Sequence, residues 1–246
     1  MEATTYIALS RLDAQQRAME TISNNLANAD TSGFKAGRTL FSDYLSRQDH
    51  TQSPTGSREL TYAQDRATYL DRKAGSLSFT GNPLDLALDG TGFFTVSTPN
   101  GTRLTRAGQF GILPDGRIAD ESGNLLLDTG GNPIDVGTDG TPVHVAADGS
   151  VSTANGTVGR IAVMDTDSPH GLVPEGGRLA RATGDTVPVA APHIAQGMLE
   201  KSNVQPIEEL TRMLRTQREF QFTTQMVDSE AQRQQSAIDK ITQQQG

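Results

Sequence analysis

The sequence has 246 residues and contains no cysteine and no tryptophan. Without cysteine there is no disulfide framework, no thiolate metal site and no cysteine nucleophile. Aromatic residues make up 5% of the chain and apolar residues 35%, which is lean for a globular protein. So few aromatics argue against a module that binds through an exposed aromatic patch. No apolar run approaches the roughly 18 residues of a spanning helix. The longest, Leu125-Leu126-Leu127 and Ile161-Ala162-Val163-Met164, are strand-sized. Cations are also scarce: 21 Lys and Arg stand against 29 Asp and Glu, a net charge of −8. That balance argues against nucleic acid and against anionic membrane surfaces as main partners, because both are held largely by cations. The four histidines (50, 144, 170 and 193) share no metal-ligand spacing, and no G-x-S-x-G, H-E-x-x-H or P-loop occurs. The expectation is therefore a protein with no catalytic residues, metal, cofactor or small-molecule substrate. The first residues carry neither a cationic nor an apolar leader segment, so no cleaved secretory signal is expected.

Glycine and proline are placed unevenly. Residues 74–199 hold 21 of the 25 Gly and nine of the 11 Pro, and residues 207–245 hold neither. Because both types break helices and make turns, the chain reads as helix, linker, turn-rich β region and helix. At the N-terminal end Thr5, Ala8, Leu12, Gln15, Met19, Ile22, Leu26 and Ala29 alternate spacings of three and four. At the C-terminal end Leu210, Met213, Gln217, Phe220, Thr224, Val227, Ala231, Gln234, Ile238 and Ile241 do the same. Both are heptad seams interrupted by polar residues, a pattern that predicts a weak, register-setting coiled coil between the two ends. Pro206 suits a first helical position and Glu208 and Glu209 the positive end of the helix.

Between the helices, Phe93-Phe94-Thr95-Val96 and Arg103-Leu104-Thr105 flank Asn100-Gly101, a hairpin signal. Asp115-Gly116, Asp139-Gly140, Asp148-Gly149 and Asn155-Gly156 repeat the device, as in a small sandwich or barrel. Carboxylates in such turns serve backbone geometry, and Asp115, Asp120 and Glu121 miss the spacing of a calcium loop. Arg212, Arg215 and Arg218 line up at i, i+3 and i+6, with Glu208, Glu209 and Glu219 close enough to pair with them. The expected fold is α+β. Residues 1–35 and 200–246 form a paired, coiled-coil-like helical domain, residues 36–80 an extended linker with strand-like pieces near Leu60 and Tyr69, and residues 81–199 an inserted antiparallel all-β domain.

Four segments resemble one known family. Ser23-Asn24-Asn25-Leu26-Ala27-Asn28-Ala29-Asp30-Thr31-Ser32-Gly33-Phe34-Lys35 is similar to the N-terminal signature of flagellar rod and hook proteins, with Ser23 where Ala is usual. Gln196-Gly197-Met198-Leu199-Glu200-Lys201-Ser202-Asn203-Val204 resembles the second signature, which leads into the long terminal helix. Asp89-Gly90-Thr91-Gly92-Phe93-Phe94 and Thr105-Arg106-Ala107-Gly108-Gln109-Phe110 resemble two motifs of the region between, with Leu104 replacing an aromatic. The chain length fits the proximal-rod type, with the distal-rod type as the alternative. The resemblance implies inner terminal helices, an outward β domain, export by the flagellar type III apparatus without signal cleavage, and self-assembly with other rod proteins in the periplasmic basal body.

Seams and signatures together place the expected assembly surface at Leu12, Met19, Ile22, Asn25, Leu26, Asn28, Gly33 and Phe34. At the other end they place it at Leu210, Met213, Phe220, Val227, Ile238 and Ile241. The second signature is represented by Gln196, Gly197, Leu199, Glu200, Ser202, Asn203 and Val204. Two other classes remain to be weighed: a glycan hydrolase, which needs two carboxylates at a fixed separation, and a β-domain binding module on a coiled-coil stalk.

Overall fold

The computed structural model describes residues 2–47, 59–168, 170–176 and 178–243. The glycine-poor ends form two helices, α1 (Glu2–Ala27) and α2 (Pro206–Gln243). The strands that follow α1 are β1 (Gly37–Arg47), β2 (Glu59–Leu70), β3 (Leu77–Phe79), β4 (Leu86–Leu88), β5 (Phe93–Thr98), β6 (Gly101–Thr105), β7 (Phe110–Ile112), β8 (Ile118–Asp120) and β9 (Leu125–Leu126). After them come β10 (His144–Val145), β11 (Ser150–Thr153), β12 (Gly156–Arg160), β13 (Val163–Thr166), β14 (Leu172–Pro174), β15 (Leu179–Ala182), β16 (Thr186–Pro188), β17 (Ile194–Gln196) and β18 (Met198–Glu200). Residues 36–80 thus carry β1, β2 and β3, and Leu60 and Tyr69 both lie in β2.

The chain divides into two compact units. One holds residues 1–24, 39–67 and 207–246, the other residues 25–38 and 68–206.

The first unit contains most of both helices and most of the β1–β2 pair. The class is α+β, but the expected coiled coil is corrected. The two helices are of unequal length (26 and 38 residues) and precede and follow the β-rich region in the sequence, and α2 leaves much of its apolar surface open. Leu210, an expected seam residue, is 46% exposed, Leu214 55% and Phe222 70%. The face of α2 that turns inward shares Met213, Phe220 and Val227 with the predicted seam but is centred on polar residues outside it. It runs through Glu209, Met213, Thr216, Phe220, Thr223 and Val227, of which Glu209 and Thr223 are fully buried. The physical reason lies in those side chains. A stripe with a carboxylate and two hydroxyls at core positions cannot zip knobs into holes over its length. Thr223 turns its hydroxyl back to the Glu219 carbonyl at 2.9 Å, and Glu209 pairs with Arg212 at 3.4 Å. On α1, Gln15 is buried with neither end of its amide hydrogen-bonded.

The second unit is built on a sheet ordered β14-β15-β6-β5-β9-β8-β7, with β13 pairing β5 and β16. Strand β5 sits between partners and is buried on both faces, which explains its double phenylalanine. Phe94 and Val96 enter a cluster with Leu86, Phe110, Ile118, Leu126 and Ile161, while Phe93 joins Leu70, Leu104, Leu172 and Ala180 on the other face. Phe94 and Phe110 meet edge to face at 5.5 Å. Each such buried side chain contributes roughly 1.5–3 kcal/mol relative to exposure. Of the predicted hairpin turns all but one form; Asp139-Gly140 lies in a bend outside any strand pair. Thr98 pairs with Gly101 around Pro99-Asn100, and Gly101 takes a φ of +96°, a region glycine enters without penalty. β7–β8 turns through Asp115-Gly116, and β10–β11 through Asp148-Gly149. Ladders β17–β4 and β18–β3 tie the end of the β region to its beginning.

Candidate functional site

Residues of the four signature segments meet in the second unit, where one cation from each of two of them, Lys35 and Arg106, pairs with the Glu200 carboxylate of a third. Glu200, at the end of β18, is 1% exposed. Its Oε1 accepts from Lys35 Nζ at 2.6 Å and from the Gly75 amide at 2.7 Å, and its Oε2 accepts from Arg106 Nη1 at 3.0 Å. Lys35 Nζ also donates to the Lys73 carbonyl at 2.6 Å. Arg106 donates to the carbonyls of Leu88 (3.2 Å) and Gly90 (2.5 Å), and its guanidinium lies 5.3 Å from the centre of the Phe93 ring. Burial pulls both cations below their usual pKa, and hydrogen bonding and attraction to Glu200 oppose the pull. A buried triad of this kind adds little net stability over an apolar substitute, but losing one member strands a buried charge at about 3–5 kcal/mol.

The backbone around the triad is locked by the same signatures. The Gly33 amide donates to the Glu200 carbonyl at 2.7 Å. Gly33 has a φ of +71°, and a Cβ there would stand 2.3 Å from the Ala107 nitrogen, so no other residue fits. Asn25, in the last turn of α1, clamps Gly37 from both sides, donating to its carbonyl at 2.9 Å and accepting from its amide at 2.8 Å. Asn203 accepts from the Ala36 amide at 2.8 Å and donates to the carbonyls of Asp71 (2.9 Å) and Lys73 (3.0 Å). Gln196 donates to the carbonyls of Pro83 (2.7 Å) and Val143 (2.9 Å), and the Gly197 amide donates to the Asp85 carbonyl at 2.8 Å. The Ser202 hydroxyl accepts from the Val204 amide at 3.2 Å. This asparagine and glycine chemistry reads as a helix stop in sequence. In three dimensions it joins the end of α1 to the approach to α2.

The expected surface residues therefore fall into two groups. Asn25, Gly33, Gly197, Leu199, Glu200 and Val204 are buried, and Asn28, Phe34, Gln196, Ser202 and Asn203 are partly buried. Along the helices Ile22 is buried, Leu12, Met19, Leu26, Met213, Phe220 and Val227 are half-buried, and Leu210 is exposed. The side chains of Ile238 and Ile241 lie outside the described residues. Lys35 and Arg106 are the residues that motif reading passed over. Their signal was available: one lone cation in each of two motifs and an acid in the apolar strand Met198-Leu199-Glu200.

The three carboxylates weighed for a calcium loop each have a partner within the chain. Asp115 binds Arg117, Asp120 accepts from the amides of Ser122 and Asn124 (both 2.9 Å), and Glu121 pairs with Arg178 at 2.8 Å. Of the arginine row on α2, Arg212 pairs with Glu209 at 3.4 Å. Among the described residues no group of three or more His, Cys, Asp or Glu could hold a metal ion, and no helix is long and apolar enough to cross a membrane.

Comparison with known proteins agrees with this geometry. Residues 6–35 match the family model described as flagella basal body rod protein, residues 87–153 the flagellar hook protein FlgE/F/G D1 domain, and residues 195–240 the flagellar basal body rod FlgEFG protein C-terminal region. The chain is 35% identical to the flagellar basal-body rod protein FlgF of Mesorhizobium japonicum, over 97% of both chains. It is 34% identical to FlgF of Caulobacter vibrioides, over 98% of both. With the flagellar basal-body rod protein FlgG of Bacillus subtilis it shares 30% identity, over 92% of this chain and 94% of the other. Signatures from both ends and the middle of the sequence are assembled into one buried junction, and the chain belongs to the flagellar basal-body rod protein family.

Proposed function

We propose that this chain is a structural subunit of the bacterial flagellar basal-body rod, of the FlgF-like proximal type, and that it acts mechanically and not as an enzyme. The observation that carries the reading is the contrast within α2. The helix is 38 residues long, yet Ile207, Leu210, Leu214, Phe222 and Met226 are all exposed. A helix that leaves so much apolar surface in water is built to be covered. The occupants proposed are copies of this chain and neighbouring rod proteins, whose packing would continue the subunit into a shaft that transmits torque across the periplasm. The chain would reach the growing rod through the flagellar type III export apparatus. As the family resemblance implies, the terminal helices would line the rod core and the β-rich domain would face outward. The distal-rod, FlgG-like reading draws on the 30% identity with the Bacillus protein.

Fractionation tests the proposal. Hook–basal-body particles are isolated in mild detergent and stripped with high salt, and the chain is sought by mass spectrometry. Retention at a fixed ratio to other rod components is expected. Loss of the chain to the soluble fraction overturns the proposal and favours the binding-module reading.

A further inference from the structure

Glu200 joins segments that are far apart in sequence. Its partner Lys35 is 165 positions away and Arg106 is 94 positions away, and nearby Asn203 binds the amide of Ala36 across 167. All three triad side chains are buried. Without residues 200–203, Lys35 and Arg106 would share a dry site with no anion between them, and the amides of Gly33 and Ala36 would lose their acceptors. Burying two unpaired cations costs far more than leaving residues 33–37 undocked in water.

We infer that Glu200 is an interlock that makes docking of the N-terminal signature conditional on the C-terminal signature. The sheet centred on β5 owes its cohesion to the apolar clusters around Phe93 and Phe94, and it closes without the triad. Residues 25–38 dock onto it only when residues 196–204 arrive. A chain still missing its C-terminal part therefore has no fixed base for α1. The consequence for rod building, that an incomplete chain cannot seat its helix, rests on the function proposed above. The interlock itself is a property of the isolated chain.

Hydrogen exchange on the full-length chain tests it, comparing the parent with Glu200→Gln, which keeps the shape and removes the charge. The amides of Gly33, Ala36 and Gly37 are expected to exchange roughly a hundredfold faster or more, the factor that corresponds to breaking a buried ion pair. The amides of β5 and β6 keep their protection. Equal acceleration everywhere makes Glu200 an ordinary core residue and overturns the interlock, as does an unchanged rate at Gly33. Should Glu200→Gln fail to fold, Lys35→Met supplies the second arm. It removes the stranded cation of the N-terminal segment and leaves only Arg106, which belongs with the sheet, without its carboxylate, so Lys35→Met/Glu200→Gln must protect β5 and restore at least tenfold of the loss at Gly37. A double variant no better than Glu200→Gln refutes the coupling. None of these readouts involves rod assembly, so a failure of the interlock is distinguishable from a failure of the proposed function.

Discussion

Around Glu200, three donors converge on two carboxylate oxygens, and a fourth, the Gly33 amide, takes its carbonyl. Along α2, Phe222 is 70% exposed and Ile207 81%. On α1, the amide of Gln15 is buried with neither end bonded. The two regions belong to different units and differ in how complete they are. Residues 25–38 and 68–206 pair the Glu200 carboxylate with Lys35 and Arg106 and bury a phenylalanine on each face of β5, although Arg106 Nε has no partner and Phe79 of β3 is 78% exposed. The helices have apolar stripes in excess of what their own unit covers. Around Glu200 the carboxylate is fully paired on folding, whereas α2 keeps a run of exposed apolar side chains that the proposed assembly would cover. Sequence motifs alone do not make that distinction, because a signature shared by a family marks a buried lock and an exposed contact in the same way.

The comparison can be broken at the lock. Gly33→Ala forces a side chain onto the Ala107 backbone at a φ of +71°, and is expected to cost about 3 kcal/mol or more in chemical denaturation. Gly131→Ala is the control. It has a φ of +80° but nothing within 4 Å of its Cβ, so it should cost only about 1 kcal/mol. Equal costs would mean that close packing at the junction contributes nothing. Next in size is Asn25→Ala, which strips both bonds from Gly37 and should cost about 2 kcal/mol, concentrated at the junction. If the variant denatures like the parent, the clamp is decorative.

The smallest effect concerns pH. Burial lowers the Lys35 pKa below the ordinary 10.5. As pH rises from that lowered value towards 10.5, the folded chain gives up the proton before the unfolded chain does. The unfolded state then binds more protons, and this group's contribution to stability rises with pH. The stability gap between the parent and Lys35→Met should therefore shift in favour of the parent through the alkaline range, by at most about 1.4 kcal/mol per pH unit. A gap that shifts the other way contradicts the assignment.

Much of the fold was legible because it rests on local rules. The seam from Thr5 to Ala29 and the stretch 207–245 without glycine or proline compare with helices Glu2–Ala27 and Pro206–Gln243. Asn100-Gly101, Asp115-Gly116 and Asp148-Gly149 mark hairpins because their backbone demands are local too, whereas Asp139-Gly140 lies in a bend outside any strand pair. The coiled coil was not legible. A heptad seam records which residues are apolar; Met213, Phe220, Thr224 and Val227 do lie on the half-buried side, but the two most buried positions are the polar Glu209 and Thr223, which an apolar seam does not pick out, while Leu210 is exposed. The junction was half legible. Its residues were in view as motifs, but pairing Lys35 with Glu200 needs contacts 165 residues apart, which no spacing rule encodes.

The claim that α2 carries surface for neighbours is tested most directly by Phe222→Asp and Leu214→Asp, made singly. Both sites are exposed, so the stability of the soluble chain should stay within about 0.5 kcal/mol of the parent. Each variant should be exported at the parent level and be missing from isolated basal bodies. Incorporation at the parent ratio would contradict the account, because it would leave the apolar face of α2 without a role.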